Sequence, residues 1–256
     1  MLDLTDENTV EIVATPATRA VEQALRFVID DAGIALIHGP VGTGKCTAVD
    51  MALRAEELPI TEIDLPVSYT AKEVVRWLHD AIAVTNDLNE LPIRDLQDDL
   101  VEMLNANPRV VVVRNAERLS REAAAHLQWL HDRPGANWPL VLVGAPSSVR
   151  AVERDALLRC RVTQTVSVKP LARNDLVAIL QSMHPLLFGP GGDLLLEIDS
   201  RVCHGVLANW MHFLRIAFYI RDQAIAAGRD APLLDRTLAK AVLAKMPSFT
   251  YARKSR

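Results

Sequence analysis

Residues Gly39-Pro40-Val41-Gly42-Thr43-Gly44-Lys45 fit the first seven positions of the pattern G-x-x-x-x-G-K-[ST]. In that pattern backbone N–H groups and the start of a helix surround phosphate oxygens, and the lysine reaches the outer phosphates. Gly42 and Gly44 let the backbone turn its amides inward with no Cβ in the way, and Lys45 adds a mobile positive charge. The chemistry on offer is the holding of phosphate groups. A glycine-rich turn that binds nothing is the plain alternative, and the elements on either side of the loop argue against it.

The eighth position departs from the pattern, because Cys46 stands where a Ser or Thr hydroxyl coordinates magnesium. Mg²⁺ is a hard cation that favours oxygen, so a thiol is a poor replacement. Thr47 carries a hydroxyl, but one residue along a helix is a rotation of about 100°, which turns it toward the inner phosphates and away from the metal position. In the plain reading Cys46 is a small filler, and any metal is held by water and phosphate alone.

A second departure lies after the valine run Val110 to Val113, which continues as Arg114-Asn115-Ala116-Glu117-Arg118-Leu119-Ser120. Triphosphatases with this loop end the corresponding strand in an acid for magnesium, often followed by a Glu that activates water. Here Arg114 takes the metal-linked position and Asn115 the water-activating one. An amide can orient a water but has no basic oxygen to accept its proton. Glu117 comes two residues later and, just past a strand end, is expected to aim elsewhere. The departures at Cys46, Arg114 and Asn115 all fall on the magnesium and water machinery, while the phosphate cradle is kept. That selectivity points to phosphate binding with little or no hydrolysis. A substitute carboxylate, such as Asp64 after the second strand, keeps hydrolysis open.

Arg114 itself has two readings. Its permanent charge could neutralise β- and γ-phosphates in place of Mg²⁺, making metal dispensable for binding. Alternatively it turns away into an ordinary ion pair with a nearby acid.

The elements that must position these residues alternate along the first two thirds of the chain. Val21, Ala24, Leu25, Val28 and Ile29 recur at helical spacing, then Asp30, Asp31 and Gly33 break the run before the apolar strand Ile34 to Ile37. The loop follows that strand directly, and Thr47 to Leu53 has helix-forming content. Further buried strands are read at Ile60–Leu65, Val110–Val113 and Leu140–Val143, with a more alternating one at Val162–Val168. Helices at Ala71–Val84, Ile93–Leu104 and Arg121–Leu130 separate them. This alternation predicts an α/β fold, a five-stranded parallel sheet flanked by helices. After Lys169-Pro170 only helical patterns remain, around Leu176–Met183, Val206–Ala226 and Leu234–Leu243. Phe188-Gly189-Pro190-Gly191-Gly192 is a turn, and Gly228 and Pro247 are helix stops. The expected division is a core over residues 1–169 and an all-helical lid over 170–256.

Composition narrows the class. The 256 residues are 50% hydrophobic and 23% charged, and 28 basic against 32 acidic residues give a net charge of −4. A chain of this kind folds and does not coat nucleic acid or anionic membrane indiscriminately. Its 3 cysteines, Cys46, Cys160 and Cys203, form no C-x-x-C pair, so neither a disulfide framework nor a zinc ribbon is expected, and the seven histidines show no metal spacing. No metal site is read. The acidic start, with Asp3, Asp6, Glu7 and Glu11, and the lack of a long apolar run predict a cytoplasmic protein with no membrane partner.

The Gly39–Lys45 loop, the Val110–Ser120 stretch, the Leu140–Gly144 strand and Leu158-Arg159-Cys160-Arg161-Val162 come in the order of AAA+ ATPases, and the chain resembles that family over most of its length. Its nearest flavour is the small ATP-binding transposition regulators related to phage Mu B protein and TnsC, with kinship to ExeA-type secretion ATPases and to clamp-loader and origin-recognition proteins. Those proteins carry two acids and an Ala at the end of the third strand, and Arg114-Asn115-Ala116 looks like that motif with both acids replaced.

The resemblance implies a P-loop core with a helical lid, ATP or ADP as cofactor with Mg²⁺ left open, and homo-oligomers assembled on DNA. It implies that Gly39, Pro40, Val41, Gly42, Thr43, Gly44, Lys45, Cys46 and Thr47 surround the nucleotide, with Arg114 beside them. Ser147, past the fourth strand, resembles the γ-phosphate sensor. Arg161, before the fifth strand, resembles the arginine finger inserted into a neighbouring subunit, with Arg159 in reserve; a solvated surface charge is the alternative for either. Cys203-His204-Gly205-Val206-Leu207-Ala208-Asn209-Trp210 looks like the opening of the second sensor helix, without its arginine, and Trp210, Phe213 and Phe218 read as lid core.

DNA binding rests on the resemblance, since the only compact basic group is Arg253-Lys254-Arg256. The functions implied are a non-hydrolysing, nucleotide-dependent adaptor that recruits a partner such as a transposase, or a working ATPase of the same group with relocated acids. A nucleotide-free interaction module stands behind both.

Overall fold

The computed structural model describes residues 10–83 and 92–246. Val84, Pro247 and the basic group at Arg253, Lys254 and Arg256 lie outside the described residues. The chain divides into two compact units, one spanning Pro16–Lys169 and the other combining Met1–Thr15 with Pro170–Arg256.

In the first unit, α1 (Pro16–Asp30) leads into β1 (Ile34–His38), and the loop then opens α2 (Lys45–Leu53). There follow β2 (Ile60–Asp64), α3 (Ala71–Ala83), α4 (Ile93–Ala106), β3 (Val110–Arg114), α5 (Arg121–His131) and β4 (Leu140–Gly144). Two short helices, α6 (Ser148–Glu153) and α7 (Ala156–Arg161), precede β5 (Val162–Ser167). The strands form one five-stranded parallel sheet in the order β2-β3-β4-β1-β5. The strand carrying the loop is therefore internal, with β4 on one side and β5 on the other. The C-terminal ends of strands beside such a reversal in order form the crevice where α/β folds take ligands.

Side-chain alternation divides the sheet between two cores. Ile34, Leu36, Val111, Val113, Leu140 and Leu142 face α3, α4 and α5. Ala35, Ile37, Val110, Val112, Val141 and Val143 face α1 and α2. Burial on both faces explains why these strands read as uninterrupted apolar runs, whereas the edge strand β5 alternates half-buried with exposed residues.

The second unit is helical: α8 (Arg173–Met183), α9 (Pro185–Phe188), α10 (Gly192–Ile198), a π-type turn at Asp199–Cys203, α11 (Leu207–Ala226) and α12 (Arg236–Leu243). Trp210, Phe213 and Phe218 are buried in its core. Asp199 fixes the entry to α11 by accepting from Gly205 N at 2.7 Å and Trp210 Nε1 at 3.0 Å.

The segment before α1 departs from the division expected at residue 169. Val10 and Val13 pack on the core of the helical unit, and Glu11 N donates to Met183 O at 2.9 Å. Val10 and Val13 stand three residues apart with Glu11 and the exposed Ile12 between them, a spacing that turns both valines onto the helical core. Among the described residues no helix is long and apolar enough to cross a membrane.

Candidate nucleotide-binding site

The loop passes from the end of β1 to the start of α2 in the conformation its glycines permit. Gly42 and Gly44 are left-handed, at φ 81° and 87°, and Gly44 immediately precedes α2. The Pro40 carbonyl accepts from both Thr43 Oγ1 and Lys45 Nζ at 2.9 Å. Thr43 and Lys45 are buried, whereas Pro40, Val41, Cys46 and Thr47 are exposed around them. Burial lowers the Lys45 pKa, and the neighbouring Cys46 and Glu117 side chains work in the opposite direction. The ammonium group thus sits partly desolvated inside a ring of backbone, an arrangement that fits phosphate oxygens by charge and by hydrogen-bonding capacity.

The donors at the usual magnesium positions do not fit that ion. Cys46 offers an exposed thiol. Arg114 offers a cation, and its guanidinium is already engaged: Nε and Nη2 donate to the two Glu62 carboxylate oxygens at 3.0 Å, and Nη2 donates to Asp50 Oδ1 at 2.6 Å. Glu62 first, then Asp50, push its pKa still further above the arginine range, against the pull of burial. Of the two readings open in the sequence, the structure shows the ion pair. Asp50 lies four residues beyond Cys46, one turn further from the loop along α2. Among the described residues no group of three or more His, Cys, Asp or Glu side chains is placed to hold a metal ion.

Asn115 is left-handed, φ 56° and ψ 39°, and its Nδ2 approaches Asp64 Oδ1 at 3.4 Å. The carboxylate at the end of β2 therefore reaches the position that the sequence assigns to water activation. The same left-handed residue, followed by a 3₁₀ turn at Ala116–Arg118, changes the aim of Glu117. Its side chain does not point away: Glu117 Oε2 accepts from Ala145 N at 2.8 Å, at the end of β4, close enough to Lys45 to act on its charge. Position 144 is glycine because a Cβ there would lie 2.5 Å from Glu117 Oε2, 2.2 Å from Ser148 Oγ and 2.9 Å from Ala116 N.

His38, which ends β1 in register with Gly144, is a further group that the sequence reading passed over. Burial, and then the charge of Lys45, lower its pKa, and its Nδ1 is buried without a hydrogen-bond partner.

Ser147 is exposed where α6 begins, and its side chain caps nothing; the buried hydroxyl beside it belongs to Ser148, which donates to Ala145 O at 2.7 Å. Arg159 and Arg161 are exposed at the end of α7. Arg161 Nε pairs with Asp132 Oδ1 at 2.9 Å. Asp155 fixes this short helix by accepting from Leu157 N and Leu158 N.

Residues 28–152 match the family model described as AAA domain. None of the curated proteins matches the chain in sequence. Among solved structures, the chain is similar to the Aeropyrum pernix ORC2 protein in its ADPNP–ADP complexes, with a TM-score of 0.68 and 16% identity over 94% of this chain and 70% of that one. The Aeropyrum pernix ORC1 protein in complex with DNA gives a TM-score of 0.65 and 17% identity, over 94% and 67%. The Thermotoga maritima RuvB Holliday junction branch migration motor gives 0.58 and 15%, over 89% and 67%. The sheet order, the loop after its internal strand and these likenesses agree: the chain has the P-loop AAA+ fold, and residues 28–152 are the part that matches the AAA domain model.

Proposed function

We propose that this protein binds ATP or ADP at Gly39–Thr47 and acts as a nucleotide-dependent adaptor whose hydrolysis is weak or lost. It works in the cytoplasm as a homo-oligomer on DNA, in the regulation of transposition, by target selection and recruitment of a transposase. The observation that carries the nucleotide reading is the contrast within one site. The phosphate cradle is complete, while Arg114 at the metal-linked position is tied to Glu62 and Asp50. The fold likeness to an ORC2 protein in ADPNP–ADP complexes and to an ORC1 protein in complex with DNA supports nucleotide and DNA as ligands. The transposition role rests on the resemblance to the small ATP-binding transposition regulators. Ser147 as γ-phosphate sensor and Arg161 or Arg159 as the finger offered to a neighbouring subunit belong to the same reading; the exposure of all three suits groups that act on ligands or partners.

One observation favours a working ATPase as the second reading. Asp64 stands at Asn115, so an amide and a carboxylate together could orient and deprotonate a water.

Equilibrium titration of a fluorescent ATP analogue tests the nucleotide reading. Wild type binds, and Lys45→Ala loses about 100-fold or more in affinity through removal of the charge facing the outer phosphates. Equal affinities would refute it. For DNA, affinity should fall steeply with salt as phosphate counterions are released, and flat salt dependence would count against that part.

A further inference from the structure

Glu117 lies outside the positions where acids serve such a site, yet it occupies a defined place within it. One carboxylate oxygen is fixed by the Ala145 amide, and glycine at 144 leaves the room it needs. The strand bearing that amide is hydrogen-bonded to the strand that carries the loop, with Gly39 N donating to Gly144 O at 3.2 Å. The carboxylate thus stands beside the loop, held by the residue that follows Gly144, and its charge acts on Lys45. A lysine in this loop reaches the outer phosphates, so an anion beside it occupies the ground that the outermost phosphate needs.

We propose that Glu117 is a built-in competitor for the terminal phosphate, so that ADP is the resting ligand and ATP is held only once Glu117 releases the Ala145 amide. This rests on the nucleotide reading above. The inner phosphates are served by the loop amides, and ADP leaves the bond from Ala145 to Glu117 in place. A third phosphate sets negative charge against a carboxylate and needs the neighbouring donors for itself. Release of Glu117 moves that side chain alone, since the turn at Ala116–Arg118 stays held by Arg118 Nη1 donating to Leu65 O at 2.7 Å and by the Tyr69 hydroxyl donating to Arg118 O at 2.8 Å.

The test is calorimetric titration of wild type, Glu117→Gln and Glu117→Ala with ADP and with a non-hydrolysable ATP analogue. Glu117→Gln keeps an oxygen for the Ala145 amide and loses only the charge, which guards against a folding defect. The expected result is a shift in the ratio of triphosphate to diphosphate affinity toward the triphosphate, by about tenfold in Glu117→Ala and about threefold in Glu117→Gln. An unchanged ratio, or a weaker triphosphate in either variant, overturns the proposal; the weaker triphosphate would make Glu117 an ordinary ligand of the site. A wild type that binds neither nucleotide would instead defeat the nucleotide reading, and this inference with it.

Discussion

The Arg114 guanidinium, at the end of β3, lies 2.6 Å from Asp50 Oδ1 in the middle of α2, while it also grips Glu62 of β2. The arginine side chain is 15% exposed and its two partners 42% and 43%, so the pairs are half-screened by water. Their main consequence is geometric. One cation joins two neighbouring strands to the helix that follows the loop, and it lies where other proteins of this chemistry gather acids around a metal.

Arg114→Met should therefore destabilise the fold by about 1–2 kcal/mol, because two carboxylates are left facing each other without a counter-charge. Urea unfolding measures this, and adding Glu62→Gln to the variant should recover part of the loss. Nucleotide affinity should change less than about threefold, since the pair lies a turn away from the phosphate cradle.

Gly144→Ala should cost about 1–3 kcal/mol through overpacking, since the new methyl has no free space against Glu117, Ser148 or the Ala116 backbone. Combining it with Glu117→Ala should recover part of that loss. Thermal melts of the single and double variants decide this, and strict additivity would place the clash elsewhere.

Chelation separates a metal-dependent site from this one. With Cys46 and Arg114 at the magnesium positions, EDTA should change the affinity for ADP less than about threefold. Cys46→Ser restores an oxygen donor and should make affinity more sensitive to Mg²⁺. A large loss on chelation in the wild type would show that the ion is held after all.

Stability should fall on mild acidification. His38, His126 and His131 all have pKa values lowered mainly by burial, so the native state resists protonation more than the unfolded chain does. Below the unfolded imidazole value of about 6.5 the unfolded chain binds more protons, and unfolding becomes easier as pH drops through that value. Urea midpoints at pH 7.5 and 5.5 check the sign. His131→Asn should flatten the dependence, at the expense of the bond from His131 Nε2 to Ala32 O.

The sheet was legible because burial on both faces makes each internal strand an unbroken apolar run, and the loop was legible because its glycines are required by backbone geometry. Less visible was what turns do to side-chain direction. Glu117 was expected to miss the site, and it instead reaches the Ala145 amide beside the loop because Asn115 turns the chain through the left-handed region, which Asn enters more readily than other non-glycine residues but which its position after a strand does not by itself require. Gly144 was the sequence trace of that turn, opposite Glu117, but only the fold brings the two together. The attachment of Val10 and Val13 to the helical core was hidden for a similar reason. A short apolar segment ahead of a helix states that it needs cover without saying which of two cores supplies it.

The central claim, a site that keeps the nucleotide and has lost the means to split it, is tested most directly by phosphate release from radiolabelled ATP in the presence of Mg²⁺, on protein shown to bind the nucleotide. Release at the level of the Lys45→Ala control, with binding intact, is the result expected. Sustained, magnesium-dependent turnover that disappears in Asp64→Asn would contradict the claim and identify the carboxylate responsible.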